Sequence, residues 1–288
     1  MLTNAWLDDA PFAASHPGDL EWWFASDAPD ALDEHLRLWF VDESIRAWSW
    51  IRGHLVHWEI RPGDPPTDGR ILDAILEGAI AETTGRLEAW APDDDPTTVA
   101  ALARLGFRRQ ELRLSQFQRR VDGDPQIGDA VPPAGYTLRH VSGHDEIAAR
   151  VDIHRAAFAP SEMTVEKYER LTTLPHYRFE NDLVVEAPDG SLAAFAMVWW
   201  DPAARVGEFE PVGTHPDHQR RGLGRALLSH GLRGYRELGA RVVQIYSMSD
   251  NAPSEGLYQA VGFERRRYRL HFVRPPDESL GSASTPPT

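Results

Sequence analysis

Hydrophobic and polar positions along the second half of the chain follow a pattern that predicts five strands. Residues 136–141 (YTLRHV) alternate with a period of two, and the apolar runs 182–187 and 192–200 flank a Pro-Asp-Gly turn. Residues 206–214 (VGEFEPVGT) and 241–247 (RVVQIYS) are two further strand-like segments. A sheet is therefore expected to form the centre of this half.

Segments with helical spacing separate these strands. Residues 145–158 show such spacing, and a second helix is predicted from Leu223 to Gly239. Apolar or small residues mark one face of the second helix at positions 227, 231, 234, 235 and 238. A short helix is predicted between Asn251, its N-cap, and Gly262, just past its end. Strands and helices in this order predict an α/β or α+β fold, with a mixed sheet and helices on its faces.

Two similar segments indicate an internal repeat. LGFRRQELRLSQF begins at Leu105 and VGFERRRYRLHFV begins at Val261, so that Gly106 and Gly262 lie 156 residues apart. Each copy follows a strand-like and then a helix-like segment, which suggests two copies of one domain. The Gly- and Pro-rich stretch in mid-chain is typical of a linker. The predicted organisation is a first domain 1–121, a linker 122–135, a second domain 136–275 and a flexible tail 276–288.

Composition and charge narrow the classes of function. The chain has 288 residues, no cysteine and a formal net charge of −14. The lack of cysteine excludes disulfides, zinc–thiolate sites and a cysteine nucleophile, and the negative charge disfavours nucleic acid as a partner. Acidic surface favours a cationic small molecule, or it serves solubility alone. No segment resembles a signal peptide or a membrane span, so we expect a cytoplasmic protein that does not bind membranes.

A short glycine-containing turn, residues 219–225 (QRRGLGR), lies between a predicted strand and a predicted helix. Glycines allow a ligand to approach the backbone closely, and the first amides of a helix point outward as donors for anions. Residues 219–224 fit the Q/R-x-x-G-x-G/A signature of the GNAT superfamily of acyl-CoA N-acyltransferases. Residues 251–263 (NAPSEGLYQAVGF) resemble the N-x-x-A-x-x-L-Y-x-x-x-G-F segment that closes that fold. The resemblance covers residues 134–275 and, more weakly, the first half, and it is similar to tandem members such as mycothiol synthase-like and antibiotic-modifying acetyltransferases.

The resemblance implies two tandem GNAT-like domains, each a mixed, mostly antiparallel sheet flanked by helices. It also implies that acetyl-CoA places its pyrophosphate on the glycine turn and its pantetheine arm in a splay between the strands 206–214 and 241–247. Pro211 supports a bulge or an end of pairing there, because proline lacks a backbone donor. The residues expected to bind the coenzyme are Val212, Gly213, Thr214, Gln219, Arg220, Arg221, Gly222, Leu223, Gly224, Arg225 and Asn251.

Acetyl transfer to an amine needs a base, a donor to the oxyanion and a proton for the thiolate. Tyr258 matches the family tyrosine that protonates the coenzyme sulfur, or it packs in the core. Glu208 and Glu210 share one face of their strand, and either carboxylate is a candidate base, directly or through water. Acceptor pockets in this superfamily come from variable loops and helices, here residues 155–177.

The first domain is expected to be degenerate. Leu102 stands where the second copy has Tyr258, Asp95 stands in place of Asn251, and the two glycines of the phosphate turn are missing near Arg70. Eight of the ten tryptophans lie in this half. Trp48 and Trp50 share a strand face and are either core residues or a grip for a cationic or sugar-like acceptor.

The predicted function is acetyl-CoA-dependent acetylation of a primary amine of a small molecule by direct attack in the second domain. Two alternatives remain: a non-catalytic acyl-CoA-binding or regulatory protein, and mycothiol synthase-like chemistry. We expect a monomer or homodimer and no metal, because the histidine pairs His215/His218 and His54/His57 lack nearby carboxylate ligands in a metal-site pattern.

Overall fold

The computed structural model describes residues 15–26, 35–61, 63, 65–123, 126–129 and 131–276. Of these, residues 35–114 and 267–276 form one compact unit, and residues 15–26 and 115–266 form a second. Residues 124, 125 and 130 of the predicted linker and residues 277–288 of the predicted tail lie outside the described residues.

The described residues contain seven α-helices and eleven β-strands. The helices are α1 (Pro17–Ser26), α2 (Pro65–Glu82), α3 (Pro96–Arg104), α4 (Ile147–Ala157), α5 (Val165–Thr172), α6 (Leu223–Glu237) and α7 (Ala252–Ala260). The strands are β1 (Leu36–Val41), β2 (Ser44–Arg52), β3 (Leu55–Ile60), β4 (Leu87–Pro92), β5 (Arg108–Arg120), β6 (Thr137–His140), β7 (Asp182–Glu186), β8 (Leu192–Asp201), β9 (Val206–Thr214), β10 (Val242–Met248) and β11 (Glu264–Arg274).

The first unit contains a sheet in the order β1-β2-β3-β4-β11. Its neighbouring strands are antiparallel except β3 and β4, which run parallel. Helices α2 and α3 bury Leu72, Leu76 and Leu102 against this sheet, together with Leu270 and Phe272 of β11. Burial of these apolar side chains supplies the unit with its own core.

The second unit contains a sheet in the order β5-β10-β9-β8-β7-β6. Strands β9 and β10 run parallel, whereas β9, β8, β7 and β6 pair in antiparallel fashion. Helix α6 buries the leucines 223, 227, 228 and 232 against it. Both sheets are mixed and mostly antiparallel with flanking helices, so the predicted fold class is confirmed.

The boundaries of the units differ from the predicted domains 1–121 and 136–275. Helix α1 belongs to the second unit because Ala25 and Trp22 pack with the core residues of α4 and α5. The end of β5 also belongs there, because Phe117 and Val121 join the core beneath α6. The end of β11 instead belongs to the first unit, where Phe272 is buried. Contacts between residues so distant along the chain leave no local pattern in the sequence.

None of the helices in the described part of the chain is both long enough and apolar enough to span a membrane.

Candidate active site

Strands β9 and β10 of the second unit part in the middle of the sheet. Their parallel pairing runs from Val206↔Val242 to Phe209↔Ile245, and both strands continue beyond it. At the same level the pairing of β9 with β8 shifts register, so that Glu210 and Pro211 stand opposite the single residue Met197. Proline has no amide to donate to a neighbouring strand, and a bulge of this kind bends the strand and redirects its side chains. The site is therefore built around an opening in the sheet at Glu210–Pro211.

The edge of β9 beyond this opening carries Val212, Gly213 and Thr214. These three residues pair with β8 on one side, opposite Ala196, Phe195 and Ala194. Their pairing with β10 has already ended, and all three are partly exposed. Their second edge can therefore meet an extended ligand.

The glycine turn places a helix N-terminus in solvent. Gly222 is the N-cap of α6 with φ of 79°, in the left-handed region that favours glycine, and no side chain caps the helix. At Gly224 an added Cβ would lie 2.8 Å from a methyl group of Leu257, so glycine also permits the close approach of α6 to α7. The first amides of a helix lack intrahelical acceptors and bear a partial positive charge. This terminus can hold a phosphate group.

Exposed polar side chains surround that terminus. They are Gln219, Arg220, Arg221 and Arg225. Leu223, by contrast, is buried in the core, so a ligand at this terminus can meet its backbone amide but not its side chain.

Glu208 is fully buried behind the opening, at 0% exposure. His16 Nδ1 lies 3.8 Å from its carboxylate. Burial raises the pKa of Glu208 well above its usual value, and the nearby carboxyl groups of Asp19 and Glu210 raise it further. Glu208 therefore holds its proton more tightly than an ordinary glutamate does, and because it has no exposed surface it is poorly placed to accept a proton from a substrate.

Glu210, in contrast, lines an open pocket of about 370 Å³. Burial and the charge of Asp19 raise the pKa of Glu210 to about 8, close to the pH at which a general base is most useful. The other residues around the pocket are Trp22, Ser26, His154, Phe158, Ser161, Glu162, Met163, Lys167 and Pro211. Five of these lie within residues 155–177, the segment expected to bind the acceptor.

Tyr258 approaches the same glutamate from α7. It is 5% exposed, and its ring packs edge-on against Phe117. Burial raises the pKa of the phenol, and the charge of Glu210 raises it further, so Tyr258 keeps its proton. Asn251 caps α7 by accepting a hydrogen bond from the amide of Ser254 at 3.2 Å, which fixes the start of the helix that carries the tyrosine.

Known proteins resemble this chain in sequence. Residues 150–263 match the model of the Acetyltransferase (GNAT) family. A mycothiol acetyltransferase of Actinosynnema mirum is 32% identical over 220 residues, which cover 74% of this chain and 72% of the relative. A mycothiol acetyltransferase of Nocardia farcinica is 31% identical over 69% of this chain and 68% of the relative. The chain belongs to the GNAT acetyltransferase family.

Solved structures share the fold of this GNAT protein over nearly its whole length. A GCN5-related N-acetyltransferase from Sphaerobacter thermophilus superposes with a TM-score of 0.68 at 16% identity, covering 95% of this chain and 93% of the other. A tandem GNAT protein from the clavulanic acid biosynthesis pathway gives 0.65 at 17% identity, covering 96% and 95%. These likenesses confirm the tandem architecture of this GNAT protein.

The first GNAT-like unit repeats the element order from β7 to α7 as β1 to α3, with different groups at the matching positions. Asp95 caps α3 as Asn251 caps α7, through a 3.0 Å bond from the amide of Thr98. Leu102, fully buried, takes the place of Tyr258. Helix α2, the counterpart of α6, begins with Pro65 and Pro66, which have no amide hydrogen to offer an anion.

Trp48 and Trp50 are both buried, at 5% and 2% exposure. The guanidinium of Arg52 lies over the ring of Trp50, 5.3 Å from its centroid. Burial of both rings favours the interpretation of these residues as core, and their role in acceptor binding stays a prediction that the structure does not support. No group of three or more potential metal ligands occurs among the residues that the structure describes.

No pattern in the sequence indicates the part that α1 plays in the second unit. Asp19 faces both strand glutamates, and Trp22 and Ser26 line the pocket beside Glu210. These residues precede β9 by about 190 positions, and no motif links them to it. Only the three-dimensional structure reveals them as parts of the site.

Proposed function

We propose that this GNAT protein transfers the acetyl group of acetyl-CoA to the primary amine of a small molecule, and that the second unit carries out the reaction. The observation that carries this proposal is the convergence of three features on the opening between β9 and β10. A helix N-terminus suited to phosphate lies at one end of the opening, a carboxyl group with a pKa near 8 lies at the pocket, and a buried phenol faces that carboxyl group.

The proposed binding mode follows from the backbone. The pyrophosphate of acetyl-CoA accepts hydrogen bonds from the first amides of α6, near Gly222 and Gly224, and Arg220, Arg221 and Arg225 lie close enough to add charge. The pantetheine arm pairs with the open edge of Val212–Thr214. This arrangement directs the thioester towards Glu210 and Tyr258.

The proposed chemistry assigns one proton transfer to each of these two residues. The amine nitrogen attacks the thioester carbonyl, an amide bond forms, and the carbon–sulfur bond breaks. Glu210 accepts the proton that the amine loses, directly or through water, and Tyr258 donates a proton to the departing thiolate. Glu208 has no exposed surface and takes no part in either proton transfer.

The pocket beside Glu210 supports a small polar acceptor. Trp22, Phe158 and Met163 offer apolar surface, whereas Ser26 and Ser161 offer hydroxyl groups. A volume of about 370 Å³ suits a small molecule. Because relatives at about 30% identity are mycothiol acetyltransferases, the cysteinyl pseudodisaccharide precursor of mycothiol is the first acceptor to test, followed by a panel of small amines.

The experiment is a thiol-release assay with acetyl-CoA and these acceptors, with the product identified by mass spectrometry. We expect acetylation that the Glu210→Gln variant loses by a factor of about 10²–10⁴, the range for a general base. Calorimetry checks that the variant still binds acetyl-CoA. Full activity of Glu210→Gln would overturn its assignment as the base, and coenzyme binding without turnover of any amine would overturn the proposed reaction.

A further inference from the structure

Three carboxyl groups from two distant parts of the chain meet beneath the acceptor pocket. Glu208 and Glu210 lie on β9, and Asp19 lies in the first turn of α1. Asp19 is 5% exposed, and its charge acts on both glutamates. Burying a carboxyl group this deeply beside two others costs folding free energy unless other interactions compensate for it.

A short network fixes Asp19 in this position. The amide of His16 donates to Asp19 Oδ2 at 2.8 Å, and the amide of Gly18 donates to His16 Nδ1 at 3.0 Å. Because Nδ1 accepts, Nε2 carries the hydrogen and donates to the carbonyl of Val206 on β9, 3.3 Å away. Burial lowers the pKa of His16 to about 4, so the imidazole is neutral. The network ties the start of α1 to the strand that carries the glutamates.

This setting favours the ionised form of Asp19. A backbone amide donates to its carboxylate, and the N-terminus of a helix stabilises a negative charge. The neutral imidazole of His16 cannot cancel that charge. Asp19 therefore presents a negative charge to Glu210 from the interior of the protein.

The other groups around Glu210 do not replace this effect. Burial raises the pKa of Glu208 on β9 and of Tyr258 on α7, which favours their neutral forms, and burial lowers the pKa of His154 on α4 to about 4. Lys167 of α5 and Glu162 of the preceding loop line the pocket with opposite charges. Of the groups in the described part of the chain, Asp19 is the one whose charge raises the pKa of Glu210.

We propose that Asp19 is a positioning residue of the active site, held by α1 so that its negative charge makes Glu210 a stronger base towards the acceptor amine. The inference rests on the proposed function. It assigns α1 to the catalytic machinery of the second unit, although this helix lies before the whole of the first unit in the chain.

The test compares pH profiles of kcat/KM for the full-length protein and its Asp19→Asn variant with one amine acceptor. The substitution removes the charge and keeps an oxygen that can accept from His16. Because a raised carboxyl pKa falls when a neighbouring negative charge is removed, we expect the acidic limb to move to lower pH by about one unit. The pKa of the acceptor itself is the same in both profiles and cancels in the comparison.

Two variants serve as controls. Asp19→Glu keeps the charge and should restore a limb near that of the wild type. Glu21→Gln removes a carboxylate from the same helix, where it pairs with His176, and should leave the limb unchanged. Calorimetric titration with acetyl-CoA and the melting temperature check that each variant is folded.

The outcomes separate this inference from the proposed function. No turnover by the wild type would overturn the proposed function, whereas an active Asp19→Asn variant with an unshifted limb would overturn the inference alone. Reduced activity without a shift would assign Asp19 a structural role and also overturn it. So would a loss of folding in both Asp19→Asn and Asp19→Ser.

Discussion

The two units of this protein carry the same short helix after the same kind of strand, yet different side chains stand at the matching positions: Asn251 and Tyr258 in the second unit, Asp95 and Leu102 in the first. Helices α3 and α7 both begin at a capping residue whose side chain accepts from an amide three residues later. Both also end at a left-handed glycine, Gly106 with φ of 84° and Gly262 with φ of 82°. The same helix is therefore present in both units, whereas Tyr258, the proton donor that we propose, is replaced by Leu102 in the first.

The helix that would face the coenzyme differs more strongly. Helix α6 enters through Gly222 and exposes its first amides, while α2 begins with two prolines and carries Asp68 in its first turn. Asp68 accepts hydrogen bonds from the amide of Gly63 and from Arg46, so donors beside the start of this helix already have an acidic partner. A phosphate site in this fold therefore requires a helix N-terminus whose first amides remain available to the ligand, and the fold alone does not supply it.

The largest expected effect comes from Tyr258→Phe, which makes the second unit resemble the first at the catalytic position. We expect kcat to fall by about 10²–10⁴, because the thiolate loses its proton donor, and acetyl-CoA affinity to change little. Steady-state kinetics with calorimetry measure both quantities. Unchanged kcat would mean that another donor protonates the sulfur.

The next largest effect is on the stability of the second unit and comes from its buried ion pair. Arg150 is fully buried and donates to Asp182 at 2.8 Å, and Tyr168 and Tyr177 also donate to that carboxylate. Removing one partner of a buried ion pair costs about 3–5 kcal/mol, so Arg150→Met should lower the free energy of unfolding by that order. Urea denaturation followed by circular dichroism measures it, and a loss below about 1 kcal/mol would show that the pair is dispensable.

The reverse substitution in the first unit should not create a site. Leu102 is fully buried among apolar side chains, so Leu102→Tyr overpacks the core and should cost about 1–3 kcal/mol. No second coenzyme site should appear, because the prolines of α2 remain. Thermal denaturation and a binding titration test the two statements, and a second equivalent site would contradict the degeneracy of the first unit.

The smallest effect concerns pH and stability. The raised pKa of Glu208 means that the native state holds this proton more tightly than the unfolded state does. Native stability therefore falls as the pH rises above the ordinary glutamate value of 4.5. Glu208→Gln should have a melting temperature that matches the wild type at pH 4.5 and exceeds it at pH 8. Equal melting temperatures at both values would indicate that Glu208 is ionised in the native protein.

Much of the second unit could be predicted because its signals are local. Apolar runs and turns located β7, β8 and β9 to within a residue, and Asn251 and Gly262 bounded α7 as expected. The segment 145–158 divides into a 3-10 turn at His144–Glu146 and α4, since helical spacing alone does not distinguish these two forms. Alternation placed Glu208 and Glu210 on one face, and only burial and the pocket distinguish their roles.

What could not be predicted depends on contacts across the sequence. The charge of Asp19 acts on Glu210 because α1 packs against α4 and α5 of the second unit. Phe272 belongs to the repeat segment that begins at Val261, yet it is buried in the core of the first unit. Hydrophobic periodicity reports which face of an element is buried but not which partner covers it. The acceptor pocket combines α1, α4, α5 and β9, and therefore has no signature along the chain.

We expect this protein to have one coenzyme site, at the N-terminus of α6. Calorimetric titration of the full-length protein with acetyl-CoA tests it, beside Gly222→Glu, which adds a carboxylate at the turn, and Gly234→Glu, a control on the same helix. A Cβ meets open space at both positions, and the left-handed backbone at Gly222 adds strain there. We expect one site per chain that Gly222→Glu abolishes and Gly234→Glu retains. Acetyl-CoA binding that survives Gly222→Glu would show that the coenzyme binds elsewhere. Two equal sites would show that the first unit also binds it.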